Sequence, residues 1–249
     1  MVASIHGGGR GRPRKKPVRR HGTGTYEEIL DAAAEMFSAQ GFAATTMNQL
    51  ADAVGVGQNS IYHHFGSKLA ILKALLMEGV TPGLRIAAEI NDLADDSDDV
   101  KAAAGLYALA LADAAVLASW RWNLGALYLL PEARSTELTE FQDARHALRR
   151  HYIDMSSALT RRLGSEAVGD QVYRLVVSII NIRWDNEAGE QVPRQLARSG
   201  LRLCGWTGSV DAVEKEARRL LTILTDRQVP LPPPNYLFAV DSTKDASAS

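Results

Sequence analysis

The sequence predicts an all-α protein in which a three-helix domain precedes a larger helical domain. Runs of alternating Val, Ile or Thr between turn residues, which signal β-strands, are absent from it. Apolar residues instead recur at helical spacing, as in the stripe Ile71, Leu72, Leu75 and Leu76. With 249 residues, of which 46% are hydrophobic, the chain can hold one large or two modest domains and bury a core.

The first helix is expected over residues 25–40. Thr25 and Glu28 have the spacing of a capping box at its start, and Gly41 is placed to end it. One face of this helix carries the residues that are expected to enter the small core, namely Ile29, Ala33, Met36 and Phe37.

Two short helices with a tight glycine turn between them are predicted for residues 45–65. Thr46 and Gln49 form a second capping-box pattern, Gly55 ends the helix where a left-handed residue is common, and the next helix opens near Gly57. Their apolar faces consist of Leu50, Ala51 and Val54 in the first helix and of Ile61 and Phe65 in the second.

The other face of the second short helix carries amides, hydroxyls and imidazoles with almost no full charge: Gln58, Asn59, Ser60, Tyr62, His63 and His64. Gln and Asn can pair with an adenine edge through two hydrogen bonds, and one helix fits the major groove of DNA. This composition favours a DNA-reading helix. The alternative is that a helix, a glycine turn and a second helix of this size occur in any small helical protein, and that Tyr62 or Phe65 merely fills the core.

Residues 25–76 resemble the N-terminal domain of the TetR family of bacterial transcriptional regulators, through the run ILDAAAEMFSAQGFAATTMNQLADAVGVGQNSIYHHFGSKLAIL. That family joins an Ala-Ala-Phe helix, a Gly-aromatic pair, Thr-Thr, a helix-turn-helix and Tyr-x-His-Phe-x-Ser-Lys-x-x-Leu. Two positions depart from the pattern, because Gly57 replaces the usual serine cap and Asn59 stands where glycine is frequent.

The resemblance implies a three-helix helix-turn-helix DNA-binding domain followed by a larger helical domain for ligand binding and dimerisation. Four side chains are expected to face base edges: Gln58, Asn59, Ser60 and His63. Five are expected to hold phosphates: Thr45, Thr46, Tyr62, His64 and Lys68.

Residues 1–24 are rich in Gly, Arg and Pro and are expected to be a disordered basic arm. The segment RGRPRKKP at 10–17 resembles an AT-hook, so Arg10, Arg12 and Arg14 are predicted to bind DNA, where a narrow A·T minor groove attracts arginine. The alternative is a generic basic tail that touches phosphates only.

The predicted organisation places the arm at 1–24, the DNA-binding domain at 25–80, the ligand-binding and dimerisation domain at 81–228, and a Pro-rich flexible tail at 229–249. A fourth helix begins after the cap Ser67 and is expected to end near Val80, because Gly79, Pro82 and Gly83 follow. Further helices are predicted at 84–94, 100–129, 136–163, 167–187, 192–204 and 209–226.

A small-molecule effector of unknown identity is a further predicted partner. Ligand sites are mostly apolar and aromatic with a few placed polar groups. The residues with that mixture are Tyr107, Trp120, Asn123, Tyr128, Tyr152, Asn181, Trp184 and Asp185. Ordinary core packing with satisfied polar tips is the alternative for each of them.

Neither enzyme activity nor a cofactor or metal site is expected. The sequence contains no HExxH, no Gly-rich phosphate loop and no GxSxG. Its single cysteine, Cys204, excludes an intrachain disulfide and favours a cytoplasmic location. No secretory signal is seen, and the apolar segment 102–120 is interrupted by Asp113, so a buried helix is favoured over a membrane span.

Members of the family dimerise through their last long helices, here about 167–187 and 209–226. The stripe Val213, Ala217, Leu220, Leu221 and Leu224 is expected to supply much of that seam. The combined hypothesis is a homodimeric repressor that binds a palindromic operator in double-stranded DNA and is released by its effector. The alternative is a ligand-independent architectural or constitutive DNA-binding protein.

Overall fold

A computed structural model of the chain describes residues 24–93, 97–185, 187 and 189–237. Every regular element within these ranges is helical, which confirms the predicted fold class. The chain divides into two compact units between Ala74 and Leu75. The first unit holds α1 (Thr25–Ala39), α2 (Met47–Val54), α3 (Gln58–His64) and the beginning of α4 (Lys68–Asp92).

Local capping groups set the ends of α2, as predicted. The Thr46 hydroxyl accepts the amide of Gln49, and the Gln49 side chain accepts the amide of Thr46 in return. Gly55 ends α2 with φ 77°, which glycine adopts at low cost. Gly57 is the N-cap of α3, and the Ser67 hydroxyl accepts the Ala70 amide where α4 begins.

The start of α1 differs from the prediction. Gly24, in an extended conformation, is the N-cap, and no side chain caps the helix. Thr25 is already the first helical residue, so its hydroxyl is one position too late to cap the first turn. The predicted capping box between Thr25 and Glu28 is therefore wrong.

The core of the first unit is the predicted one. Phe37 packs edge-on against Phe42 from the following loop, with ring centroids 5.1 Å apart, and Met36 is half-buried. The predicted core residues that are buried lie on α1, α2 and α3 and at the position just after α3, and they are Ile29, Ala33, Phe37, Leu50, Ala51, Val54, Ile61 and Phe65.

Helix α4 passes through Pro82 and ends at Asp92, so the predicted end near Val80 is wrong. Beyond that point the helix continues to bury an apolar stripe, including Ile86 and Ile90, and this packing outweighs the hydrogen bond that a proline removes. Gly79 and Gly83 do not end the helix. A Cβ at Gly79 would lie 2.7 Å from the Tyr128 hydroxyl oxygen, and one at Gly83 would overlap the Asp113 carboxylate.

The second unit is built around α5 (Asp99–Ser119), which is buried on all sides from Ala103 to Ala118. Its neighbours are α6 (Thr139–Leu163), α7 (Gln171–Val177), α8 (Ile179–Trp184), α9 (Val192–Leu203) and α10 (Val210–Asp226). Among the described residues, α5 is the one helix with the length and apolar composition of a membrane span, and 83% of that apolar window is buried inside the protein. A helix that is apolar all round is typical of a core position.

The predicted helix 100–129 stops at Ser119, and three 3₁₀ turns follow at Leu124–Leu129, Pro131–Arg134 and Thr136–Leu138. The Arg183 guanidinium from α8 donates to the carbonyls of Leu117, Trp120 and Trp122. These bonds satisfy carbonyls that a helix end leaves open, so α5 can end without a further turn. A distant arginine thus sets this boundary.

The predicted helix 167–187 is broken at Ser178 into α7 and α8. The Ser178 hydroxyl donates to the Leu175 carbonyl at 2.6 Å, an alternative to the regular helical bond. The Asn123 amide donates to the Ile180 carbonyl at 2.8 Å and joins α8 to the segment after α5.

The predicted flexible tail is wrong for residues 229–237. Val229 and Leu237 are buried, and a short helical turn, Pro234–Leu237, packs against α5 and α9. The burial of Val229 and Leu237 thus holds this segment against the second unit, although no helix continues from α10. Phe238 and the rest of the tail lie outside the described residues.

Candidate functional site

The polar face of α3 is directed to solvent. Gln58, Asn59, Tyr62, His63 and His64 are exposed, and Ser60 is half-buried. Within the described part of the chain, the side chains of Gln58, Asn59, Ser60 and Tyr62 have no hydrogen-bond partner. Their donors and acceptors are therefore available to an external partner.

Two buried side chains hold α3 in place. Ile61 is fully buried, and Phe65 just after the helix is buried against Tyr26, whose ring stacks on it at 4.7 Å. Tyr26 also lies edge-on to His64, at 6.4 Å between ring centroids. Sequence reasoning did not single out Tyr26, although an aromatic residue in the first turn of α1 is a signal that could have suggested it.

Thr45 is placed differently from the prediction. It is fully buried, its hydroxyl donates to the Gly41 carbonyl at 2.9 Å, and it accepts from the Gln40 amide at 3.1 Å. A hydroxyl in that position cannot reach a phosphate. Its function is to close the turn between α1 and α2.

Lys68 is also occupied inside the protein. Its ammonium group donates to the carbonyls of Phe42 and Thr45, at 2.6 Å each, and of Ala43, at 3.3 Å. It lies 4.3 Å from the centroid of the Phe42 ring. An ammonium group has three donors, and all three are used, so this geometry contradicts the expected phosphate contact and assigns Lys68 to positioning the loop before α2.

Thr46 is exposed, but its hydroxyl caps α2, so any phosphate contact must share that oxygen with the cap. Arg10, Arg12 and Arg14 lie outside the described residues. Of the residues predicted to bind DNA, those that the structure brings together at the surface lie on α3, with Thr46 at the start of α2.

The family model described as bacterial regulatory proteins of the tetR family matches residues 29–75. The crystal structure of Mycobacterium smegmatis AmtR is similar to this chain over 86% of its length and 99% of the AmtR chain, at 38% identity and a TM-score of 0.74. The chain belongs to the TetR family.

Other TetR-family relatives match a shorter stretch. The transcriptional repressor KstR2 of Rhodococcus jostii is 43% identical over 54 residues, which are 22% of this chain and 26% of KstR2. SrpR of Pseudomonas putida is 44% identical over 52 residues, 21% of this chain and 24% of SrpR. This chain thus matches about a quarter of the length of these curated relatives.

The eight residues predicted to bind an effector do not form one site. Asn181, Trp184 and Asp185 are exposed on α8, where 66% of Trp184 faces solvent. Asn123 is pinned to the Ile180 carbonyl, and Trp120 is half-buried with its carbonyl bonded to Arg183. In this part of the predicted set, three residues lie on the surface, and the other two join α8 to the segment after α5.

Tyr107 belongs to a separate charge cluster. Its hydroxyl donates to Glu214 at 2.7 Å, and Arg194 and Arg198 also bond this carboxylate. Burial alone would raise the pKa of Glu214, but the hydrogen bonds from the two arginines and from Tyr107 lower it to about 2. With its acceptors occupied, this cluster ties α5 and α9 to α10.

Tyr128 and Tyr152 lie in the interior around Asp113, which sequence reasoning did not assign to any site. The Tyr152 hydroxyl donates to Asp113 at 2.9 Å. Desolvation raises the pKa of Asp113 to about 6, and the bond from Tyr152 opposes that rise. An aspartate inside an alanine-rich helix was the available signal for such a network.

Of three cavities lined by described residues of the second unit, the smallest, of about 20 Å³, is lined by Tyr107 beside Arg194 and Glu214, and none of the eight predicted residues lines the two larger ones. One, of about 240 Å³, has Ile90, Met155 and Leu220 on its apolar wall and charges of both signs, Lys101, Arg219, Asp154 and Glu216, around it. The other, of about 210 Å³, lies between α6 and α7 and is lined by Arg145, His146, Arg149, Asp170, Tyr173 and Arg174.

The stripe predicted for the dimer seam lies inside the protomer. All five residues of α10, from Val213 to Leu224, are buried, and α10 packs against α5. The helical spacing was correctly recognised, but its apolar face is used within one chain. No cluster of three or more metal-ligating side chains occurs in the part of the chain that the structure describes.

Proposed function

We propose that this TetR-family chain is a DNA-binding transcriptional regulator, acting as a homodimeric repressor that binds a palindromic operator and is released by a small-molecule effector. The single observation that supports the DNA-binding role best is the polar face of α3. Its amides and hydroxyls point to solvent without partners, while Ile61 and Phe65 hold the helix from below. Leaving such groups exposed and unpaired suits a base-reading surface.

In this proposal Gln58, Asn59, Ser60 and His63 face base edges in the major groove. Tyr62, His64 and Thr46 contact the phosphate backbone and fix the register. Lys68 and Thr45 contribute without contacting DNA, because they hold the loop from which α2 begins. The basic arm adds affinity that falls with salt.

Dimerisation is part of the proposal because α3 has only seven residues and can read few base pairs. Two copies related by a twofold axis reach half-sites about 34–36 Å apart, one helical turn of DNA. Since the apolar stripe of α10 is buried against α5, the pairing surface must use other faces of the second unit.

Release by an effector requires that the effector bind the DNA-incompatible state more tightly than the DNA-bound state. AibR, which shares this fold at 19% identity and a TM-score of 0.53 over 70% of this chain, was crystallised in complex with isovaleryl coenzyme A and operator DNA. That structure contains a small molecule and operator DNA on the same fold, which supports the proposal that this chain also binds a small molecule.

A regulator acting on chromosomal DNA works in the cytoplasm, which is the location we propose. No catalytic role is assigned. Cys204 is buried, and burial raises the pKa of its thiol to about 11, which disfavours a nucleophilic thiolate.

A footprinting experiment tests the function. Protein at physiological salt is expected to protect one fixed palindrome, and its affinity for that site is expected to exceed that for random DNA by ~10³ or more. Sedimentation of the free protein is expected to show a dimer. Equal affinity for all sequences would instead indicate an architectural DNA-binding protein, and a monomer both free and on DNA would contradict the homodimer.

A further inference from the structure

The cleft between α6 and α7 has a strong excess of positive charge. Arg145 and Arg149 on α6 and Arg174 on α7 line it, together with His146, and Asp170 is its one acidic lining residue. With a neutral histidine this lining carries a formal charge of +2. The 240 Å³ cavity differs, because its lining holds two acids and two bases.

Asp170 neutralises only part of this charge. Its carboxylate lies 2.6 Å from an Arg149 terminal nitrogen and 2.8 Å from the Arg174 Nε. The hydrogen bond from Arg174 makes the largest contribution to lowering the pKa of Asp170, so this acid stays ionised near neutral pH and is held between the two arginines. The two guanidinium groups are thereby fixed on the cleft wall.

Several donors in the cleft are left unused. The Arg149 Nε–H is buried and has no hydrogen-bond partner. Arg145 donates its Nε–H to the Tyr173 hydroxyl at 3.1 Å, and no partner for its terminal nitrogens is found among the described residues. Tyr173 accepts that bond and keeps its own proton, for which the described residues provide no acceptor. A buried donor without an acceptor costs about 1–3 kcal/mol, so an incoming acceptor would relieve that cost.

Arg145 also connects the cleft with the interior of the second unit. Its guanidinium lies 5.3 Å from the centroid of the Tyr128 ring, and the Tyr128 hydroxyl lies close to Gly79 on α4. Tyr173, which Arg145 bonds, packs against Tyr152, with ring centroids 5.6 Å apart. Moving Arg145 toward a ligand would therefore change the packing of two tyrosines, one of which touches α4.

We propose that this cleft binds a small, multiply charged oxyanion, carrying phosphate or carboxylate groups, and that this anion is the effector class of the regulator; the effector role rests on the proposed function. Planar guanidinium groups bind such oxyanions through paired N–H donors, and three of them converge here with one hydroxyl. The anion would accept from the unused donors of Arg145, Arg149 and Tyr173 and draw Arg145 away from Tyr128.

The direct test is calorimetric titration and thermal shift of the full chain with pyrophosphate and, separately, citrate, at constant ionic strength. We expect at least one of them to bind at millimolar concentration or below and to raise the melting temperature. Tighter binding of pyrophosphate would assign a phosphate ligand, and tighter binding of citrate a carboxylate ligand. No binding of either would overturn the proposed site.

Three variants locate the binding. Arg149→Gln and Arg174→Gln should each weaken binding at least tenfold, whereas Arg150→Gln, the adjacent exposed arginine outside the cleft lining, should leave it unchanged. The exposed Arg174 side chain gives a variant with little risk of misfolding, which far-UV circular dichroism would check. Equal binding by all three variants would show that the anion sits elsewhere and would overturn the site.

A gel-shift series separates the cleft from the proposed function. The anion is expected to release DNA from the natural protein and from Arg150→Gln, but not from Arg149→Gln, again at constant ionic strength. Anion binding in the cleft without any effect on DNA would refute the effector role. Sequence-specific DNA binding without anion binding would refute this inference and leave the proposed function intact. Anion binding without DNA binding would leave the anion site intact and refute the proposed function together with the effector role.

Discussion

Replacing Lys68 with methionine removes the ammonium group and keeps a side chain of similar length. In the natural protein this one group joins three carbonyls of the loop between α1 and α2, at Phe42, Ala43 and Thr45. The variant leaves those carbonyls without their common donor. It also removes the cation from the face of the Phe42 ring.

The cost follows from this geometry. Hydrogen bonds that involve a charged group contribute about 1.5–3 kcal/mol each. Two of the bonds are short, at 2.6 Å, and the third is weak at 3.3 Å. Because the group is half-buried, we use the lower end, about 1.5 kcal/mol, for each of the two short bonds and expect the first unit to lose about 3 kcal/mol, to which the ring contact adds less than about 1 kcal/mol.

Hydrogen exchange and DNA affinity together measure the effect. The amides of Gln49 and Leu50, which bond to Thr46, should exchange faster in Lys68→Met. DNA affinity should fall at every salt concentration while the slope of log affinity against log salt stays the same, because no phosphate contact is lost. Tyr62→Phe, on the exposed face of α3, is the control for the exchange measurement alone, because it should leave the fold of the first unit unchanged while removing a proposed phosphate contact.

The opposite pattern would refute the positioning role of Lys68. Removing a lysine that neutralises one phosphate reduces the magnitude of the slope of log affinity against log salt by about 0.9. Normal amide exchange combined with a reduced slope in Lys68→Met would therefore support the phosphate contact that the sequence predicted for Lys68.

Three further predictions concern the second unit. Gly83→Ala should lower the free energy of unfolding by about 2–4 kcal/mol, because its Cβ would overlap the buried Asp113 carboxylate. The control is Gly66→Ala, where a Cβ meets no neighbour and the change should be less than about 1 kcal/mol. Urea unfolding of both variants measures the two values. Arg183→Met should lower the free energy of unfolding by about 2–3 kcal/mol, because the carbonyls at the end of α5 lose their donor. The control variant Arg202→Met, at an exposed position, should lower it by about 0.5 kcal/mol or less. Equal melting temperatures for the two variants would contradict the capping role of Arg183. Burial raises the pKa of Asp113 from 3.8 to about 6, so the folded state binds this proton more tightly than the unfolded state does. The free energy of unfolding relative to Asp113→Asn should therefore fall by about 2–3 kcal/mol as pH rises from about 4 to about 7. A difference that does not vary with pH would show an ordinary pKa.

The first unit was predictable where its signals are local. Thr46, Gly55 and Ser67 act on residues within one helical turn, so short patterns place the ends of α2 and the start of α4 correctly. The role of Lys68 escaped because it bonds residues 23 to 26 positions away. A pattern of residue types identifies a lysine near DNA-facing residues but not the carbonyls that already occupy it.

In the second unit the errors have a common tertiary cause. Gly79, Pro82 and Gly83 are ordinary signals of a helix end, yet here close packing with Tyr128 and Asp113 requires the glycines and the helix continues. The α10 stripe shows the same limit, because helical spacing reveals an apolar face without revealing whether the partner is α5 or a second subunit.

The predicted ligand residues line neither of the two larger cavities, because that prediction was guided by aromatic content. The arginine cleft had its own signal in the sequence, since Arg145 and Arg149 are four apart, as are Asp170 and Arg174, and both pairs fall on helix faces. What the sequence could not show is that α6 and α7 bring these pairs together. Two charged pairs at helical spacing are otherwise typical of a solvated surface.

The proposed function depends on base reading by the exposed face of α3. A base-by-base comparison of the DNA affinity of Asn59→Ala with that of the natural protein tests this role. Affinity for the operator and for every single-base variant would be determined, with Gln195→Ala on the exposed surface of α9 as the control. Asn59→Ala should lose about 1–3 kcal/mol of binding free energy for the operator and should no longer discriminate between bases at one symmetric position. An equal loss for operator and random DNA, with discrimination intact at every position, would contradict the base-reading role.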